Sequence, residues 1–177
     1  MKYLIVDSAN MFFRARHVVR GEDIHTRIGM SLHILFNSIH KVWMKFKPDH
    51  MVLCFEGRSW RKDVFEPYKM NRVALREQLS EKERKEEEAY WEAFTDFNKF
   101  MTDRTNCTVL QHEEMEADDF IARWTQLHPD DEHIIISSDS DFYQLISDNV
   151  SIYNGISNTL INTKGFYDDV GKEIIDK

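Results

Sequence analysis

The sequence predicts an α/β fold, a central and mostly parallel sheet flanked by helices on both faces. Three observations carry that expectation. The apolar runs at residues 2–6 (KYLIV), 51–55 (MVLCF) and 133–137 (HIIIS) are continuous rather than alternating, as strands buried on both faces are. Segments with apolar residues at helical spacing lie between them. Strands that alternate with helices pair in parallel through crossovers, and right-handed crossovers place helices on both sides of the sheet.

Each element has its own signal. The first run ends at Asp7. Leu32, Leu35, Phe36, Ile39, Val42, Trp43 and Phe46 then form a helical stripe that stops near Pro48. The second strand ends at Glu56 and Gly57. Residues 72 to about 101 read as strongly helix-forming, with a mostly charged middle at 81–92. A short strand at 108–110 precedes a helical stripe of Ala117, Phe120, Ile121, Trp124 and Leu127. The HIIIS strand ends at Ser138 and Asp139; a short helix at 142–146 and strand-like runs at 150–153 and 159–161 follow.

A chain of 177 residues is expected to form one domain with a sizeable core. Three prolines and six glycines give no linker or low-complexity tract. Cys54 and Cys107 lie in apolar runs without CxxC spacing, which suits buried free thiols in a reducing compartment better than disulfides or zinc. No apolar stretch approaches a membrane span, and the β-like run after Met1 and Lys2 is too short and wrongly flanked for a signal peptide. A cytoplasmic location is therefore expected. The net charge of −8 argues against a simple nucleic-acid-binding module. The charge is uneven, however. Residues 58–76 hold six bases (Arg58, Arg61, Lys62, Lys69, Arg72, Arg76) against Asp63 and Glu66, a balance of +4 that leaves −12 elsewhere.

The acids recur where a parallel sheet puts its functional edge, beyond the carboxyl ends of strands. Asp7, Glu56, Asp139 and Asp141 close strands, while Glu116, Asp118 and Asp119 open the helix after the 108–110 strand. Glu116 and Asp119 share a helix face, and Asp118 is turned about 100° from its neighbours. Such a cluster repels itself unless counter-charge is supplied. Hard divalent cations, Mg²⁺ or Mn²⁺, bind through oxygen ligands, and two of them would clamp both the attacking and leaving oxygens of a phosphodiester. No histidine lies in these motifs. Any one Asp after a strand is more often a turn residue or helix cap; the recurrence at four places is what favours ion binding.

The motifs IVDSANMFFRAR, EPYKMNR, EADDFIA and ISSDSDFYQL, in that order, closely resemble the bacteriophage and bacterial 5′–3′ exonucleases of the flap endonuclease family. The resemblance runs from Tyr3 to about Asp169. It implies a PIN-like nuclease domain, cleavage near 5′ ends or flaps of DNA or RNA–DNA, and a role in replication or primer removal in a bacterial or phage-infected cell. By motif match it implies ion ligands at Asp7, Glu56, Glu116, Asp118, Asp119, Asp139 and Asp141, with Asp7, Glu56, Glu116 and Asp119 forming the inner site. It places phosphate chemistry on Lys69 and Arg72 and base stacking on Tyr68. Arg14, Arg16, Arg61 and Lys62 are further candidates for nucleic-acid contact. Residues of the stretch from about 58 to 100 resemble the family's helical arch.

Two departures accompany the resemblance. Glu56 stands where the family usually has Asp, and the family's later acidic pair and helix–hairpin–helix-type DNA-binding motif have no counterpart before Lys177. The second of the two expected ion sites is therefore expected to be incomplete, unless a separate polypeptide supplies the rest. Two other readings stay open on the sequence alone. One is a non-catalytic remnant that binds nucleic-acid ends, against which the full set of repelling acids argues. The other is a PIN-type ribonuclease on single-stranded RNA, against which the long insert and YKMNR argue. A phosphotransferase is weaker still, since no late strand ends in the lysine it would need.

Overall fold

The computed structural model describes residues 1–21 and 23–174, so the last three residues of the expected domain lie outside it. Seven strands form one sheet: β1 (Lys2–Asp7), β2 (His50–Cys54), β3 (Thr108–Leu110), β4 (Glu132–Ile136), β5 (Val150–Asn154), β6 (Thr159–Asn162) and β7 (Gly165–Tyr167). Their order is β3-β2-β1-β4-β5-β6-β7. The first five strands run parallel, and β6 and β7 add antiparallel hairpins at one edge. The expected mostly parallel sheet is therefore observed. Chain order turns back at β1, which pairs with β2 on one side and β4 on the other. Such a switch point opens a crevice at the carboxyl ends of the strands.

The helices are α1 (Ser8–Val18), α2 (Ile24–Phe46), α3 (Arg61–Val64), α4 (Met70–Glu77), α5 (Glu81–Arg104) and α6 (Ala117–Leu127), with a 3-10 turn at Ser140–Leu145. Alternation along β1 feeds two cores. Leu4 and Val6 pack with Phe12 of α1, Leu35 and Ile39 of α2, and Phe94 of α5. Tyr3 and Ile5 point the other way, toward Ile121 of α6 and Phe142. Burying each of these large side chains contributes about 1.5–3 kcal/mol, so helices on both faces are held by the pleat itself. Cys54 is buried and Cys107 partly so, and both are free thiols. Among the described residues no helix is long and apolar enough to cross a membrane.

Several local features differ from the sequence expectation, among them the short helix α3, which was not expected. The helix-forming stretch from 72 to about 101 is two helices rather than one. Ser80 accepts from the Glu83 amide and Glu83 reaches back to the Ser80 amide, a capping box that starts α5 afresh. The surface pair Glu81–Lys85 is present at 2.9 Å but lies wholly within α5. Helix α2 begins eight residues before the apolar stripe, because Asp23 caps the Thr26 amide at 2.7 Å. Helix α1 and strand β7 were not expected at all. Within α5, Tyr90, Phe94, Phe97 and Met101 are buried, so the exposed part of the basic and charged insert ends before Tyr90.

Gly57 fixes how the two halves of the edge meet. Its amide donates to the Met115 carbonyl at 2.9 Å, and a Cβ there would lie 1.9 Å from the His112 carbonyl oxygen. Both sides of that clash are backbone, so neither can swing away. Gly57→Ala should destabilise the protein at the upper end of the roughly 1–3 kcal/mol typical of overpacking. Denaturant unfolding checks this; an unchanged midpoint would mean that the 112–116 loop is not held against residue 57.

Candidate metal and phosphate site

The acids expected from the sequence do gather at the carboxyl edge of the sheet, beside the β1–β4 switch point. Asp7 ends β1 and caps α1, accepting from the Asn10 amide at 3.2 Å. Its other oxygen accepts from the Ser137 hydroxyl at 2.9 Å, just past β4. Asp7 is only 4% exposed. Burial pushes its pKa up to about 7 despite those two hydrogen bonds, and Asp118 and Glu56 push the same way. Asp118 is raised by burial and by Asp139 and Glu116. Glu56 is raised by burial and by Asp118 and Glu116, against the pull of Lys69. Asp139 caps the 3-10 turn through the Asp141 amide at 2.9 Å, and Asp141 is exposed.

Glu116 and Asp119 are in a different state. The Glu116 carboxylate accepts from the Ser59 hydroxyl at 2.8 Å, from Arg61 at 3.0 Å, from the Tyr68 hydroxyl at 3.0 Å and from the Lys69 ammonium. Arg61 forks onto both oxygens of Asp119, at 2.7 and 3.0 Å. Burial works against both carboxylates, but these donors outweigh it and hold both below the usual carboxylate range. Lys69 feels the reciprocal effect. Burial disfavours its ammonium, yet Glu116 holds its pKa above the usual lysine value. Lys69 has a left-handed backbone, φ 57°, where it begins α4. That conformation costs a non-glycine residue energy and is found where function constrains the chain.

The carboxylates thus divide by counter-charge. Glu116 and Asp119 are neutralised by Arg61 and Lys69. Asp7, Glu56, Asp118, Asp139 and Asp141 take part in no ion pair among the described residues. Also among the described residues, no three such side chains are drawn close enough to chelate an ion as they stand. Their all-oxygen donor chemistry, the burial of Asp7 and the partial burial of Glu56, Asp118 and Asp139 fit a hard divalent cation.

The expected nucleic-acid contacts are scattered differently. Tyr68 and Lys69 reach Glu116, while Lys62 and Arg72 are exposed at the same end. Arg14 is half-buried, disfavoured by burial and favoured by Asp7, and lines a cleft of about 300 Å³ with Met11, Ser38, Ser137 and Ile156. Arg16 turns away from the edge. It pairs with Glu87 at 2.5 Å and lies 4.5 Å above the Tyr90 ring, tying α1 to α5. Three contributors escaped the sequence reading. Ser137 and Asn10 hold Asp7, and Ser59 holds Glu116. Ser137 sits inside ISSDSDFYQL, but a serine there looks like a turn residue.

Residues 2–171 match the family model described as 5′-3′ exonuclease, N-terminal resolvase-like domain. Among curated relatives, the 5′-3′ exonuclease of Mycoplasmopsis pulmonis is 27% identical over 170 residues, covering 94% of this chain and 52% of that protein. Flap endonuclease Xni of Aeromonas hydrophila is 30% identical over 158 residues, covering 84% and 54%. The chain spans about half the length of both. A bacteriophage T5 5′-exonuclease structure with bound divalent zinc ions aligns with TM-score 0.76 at 22% identity, over 92% of this chain and 58% of that one. The T5 D15 flap endonuclease in a pseudo-enzyme-product complex with DNA and metal ions aligns with TM-score 0.72 at 21% identity, again over 92% and 58%. These alignments show the same fold.

Proposed function

The chain belongs to the family of the 5′-3′ exonuclease N-terminal, resolvase-like domain, and from that premise we propose that it is a divalent-metal-dependent 5′ nuclease domain acting on DNA. The observation that carries the reading is the pairing of two opposite conditions at one sheet edge. Among the described residues five acids form no ion pair, and beside them Lys69 is anchored with donors to spare. A nucleic-acid binder has no use for the first condition. Divalent ions would be held by Asp7, Glu56, Asp118 and Asp139, with Asp141 at the margin. When bound, they would supply Lewis-acid stabilisation of a phosphodiester undergoing hydrolysis. Mg²⁺ or Mn²⁺ is the expected species. Two ions at this edge are part of the proposal.

The chain's own residues have separable tasks. Lys69 meets the scissile phosphate and stabilises charge as it develops. Arg72, exposed one turn later, makes a forked phosphate contact. Tyr68 presents a ring for a terminal base, with its hydroxyl fixed on Glu116. Arg14 contributes from the opposite side of Asp7. Residues 58 to about 89 form the arch-like insert of what we read as a single nuclease domain, with its apolar side chains Val64, Phe65, Met70 and Leu75 exposed. The substrate would be a 5′ end or flap of DNA, or an RNA–DNA primer, in the cytoplasm of a bacterial or phage-infected cell.

The test uses labelled 5′-flap DNA, blunt duplex and single-stranded RNA, each with Mg²⁺, Mn²⁺ or EDTA. Cleavage of the flap substrate that needs metal is expected. Absence of cleavage from all three substrates would sink the enzyme reading, and cleavage of RNA alone would favour a PIN-type ribonuclease. Affinity for flap DNA should fall as salt rises, because phosphate contacts release counterions.

A further inference from the structure

We propose that Arg61 is a positioning residue for this site and not a contact to substrate phosphate; the proposal rests on the nuclease reading and says how that site keeps its shape. The sequence places Arg61 in a basic strip where every cation looks available to a phosphate. The fold spends this one. Its Nη1 donates to Glu116 Oε2 and to Asp119 Oδ2, both at 3.0 Å, and its Nη2 donates to Asp119 Oδ1 at 2.7 Å. The guanidinium lies 4.9 Å from the centre of the Trp60 ring, so one flat face is also occupied. The fork that would grip a phosphate is the fork that grips Asp119.

What Arg61 holds explains why it matters. Glu116 and Asp119 close the first turn of α6: the Glu116 amide donates to Asp119 Oδ2 at 3.1 Å, and the Asp119 amide donates to the Glu116 carbonyl at 3.1 Å. Asp118 lies between them in sequence, so this turn sets where its uncompensated carboxylate stands. Glu116 in turn anchors Tyr68 and Lys69. Among the described residues Arg61 makes no hydrogen bond or ion pair to Asp118 or Lys69, and acts on both through the two carboxylates it clamps.

Charge gives the same answer. Two acids and two bases make this cluster neutral. Without Arg61, Glu116 and Asp119 would share Lys69 alone, drawing it away from phosphate and leaving the α6 turn unfixed. Lysine is a poor substitute, since a point charge on a flexible stem cannot bridge both Asp119 oxygens and Glu116 together. Lys62, next in sequence and exposed, has the opposite profile and suits phosphate contact.

The experiment compares Arg61→Met and Arg61→Lys with Lys62→Ala. Flap-DNA affinity in EDTA is measured across salt concentrations, kcat and KM in Mg²⁺, and thermal midpoints with and without Asp119→Asn. Both Arg61 variants should lose about 10–100-fold in kcat, the usual cost of removing a residue that orients a metal site. Their KM and salt slope should stay near those of the unaltered protein, whereas Lys62→Ala should lower the slope by about one. Adding Asp119→Asn to Arg61→Met should recover much of the lost thermal midpoint, because the orphaned charge is gone. A salt slope lowered by about one in Arg61→Met with kcat retained, or full kcat in Arg61→Lys, would overturn the proposal. If the unaltered protein cleaves nothing, the nuclease reading fails, and the salt slope and thermal coupling still decide the role of Arg61.

Discussion

Asp7→Asn should sharply slow metal-dependent cleavage and, in the same protein, raise the heat stability of the metal-free form at pH 8. Both effects follow from one fact: Asp7 is a carboxylate kept out of water without a cation. On the proposed reading Asp7 would be a charged ligand of an ion that stabilises the transition state by several kcal/mol, and losing it should slow cleavage by about three orders of magnitude. The stability change has the opposite sign. The folded-state pKa, about 7, lies above the ordinary value of 3.8, chiefly through burial. The folded chain therefore binds more protons than the unfolded one between these values, and stability contributed by this group falls as pH rises from about 4 to about 7. Asparagine cannot ionise. The variant should match the unaltered protein near pH 4 and exceed it at pH 8, while Mg²⁺ should stabilise the unaltered protein at pH 8 and the variant far less. Thermal melts at the two pH values, with and without Mg²⁺, read all four cases. A variant less stable at pH 8 than the unaltered protein would show that Asp7 is held by its Ser137 and Asn10 hydrogen bonds and not burdened by burial.

The division between those two environments is also where sequence reading stopped. The strands were legible because KYLIV, MVLCF and HIIIS are apolar without alternation, and only a strand covered on both faces tolerates that. Asp7, Glu56, Asp139 and Asp141 were legible because each follows such a run, and Glu116, Asp118 and Asp119 because they open a helical stripe. Their partners were not. Whether a carboxylate meets Arg61 or nothing depends on where the loop after β2 crosses the start of α6, and that crossing is set by the close backbone approach at Gly57. Residues separated by more than fifty positions, such as Ser59 and Glu116, meet only through it. The same limit applies to Glu116 and Asp119: the resemblance groups them with the inner ligands, and only the fold shows the protein donors that surround both. Arg16 likewise resembles a phosphate contact beside Arg14, but two residues along a helix turn the side chain by about 200°, to face Glu87. The break before α5 is a different matter. Ser80 and Glu83 carry the capping-box spacing openly, and the strong helix propensity on either side masked it.

Lys69→Ala should lower kcat by about 10²–10³-fold, the range seen when one preorganised donor to a developing charge is removed, with little change in KM. The ion pair with Glu116 does not prevent this role. An ammonium has three donors, and Glu116 takes one, which leaves two for a phosphate and fixes the direction in which they point. This is what distinguishes preorganisation from a mobile surface lysine: the orientation is set before substrate arrives. Metal binding separates this variant from Asp7→Asn. Removing Lys69 takes a cation away from a site already rich in acid, and Lys69 is the group that lowers the pKa values of Glu56 and Asp118 by its charge. The variant should therefore bind Mn²⁺ at least as tightly as the unaltered protein, as followed by the paramagnetic resonance of free Mn²⁺, while cleaving slowly. Asp7→Asn should lose binding and cleavage together. If Lys69→Ala instead lost Mn²⁺ affinity in step with kcat, the lysine would be acting by holding Glu116 for the metal, and phosphate stabilisation would have to be reassigned to Arg72.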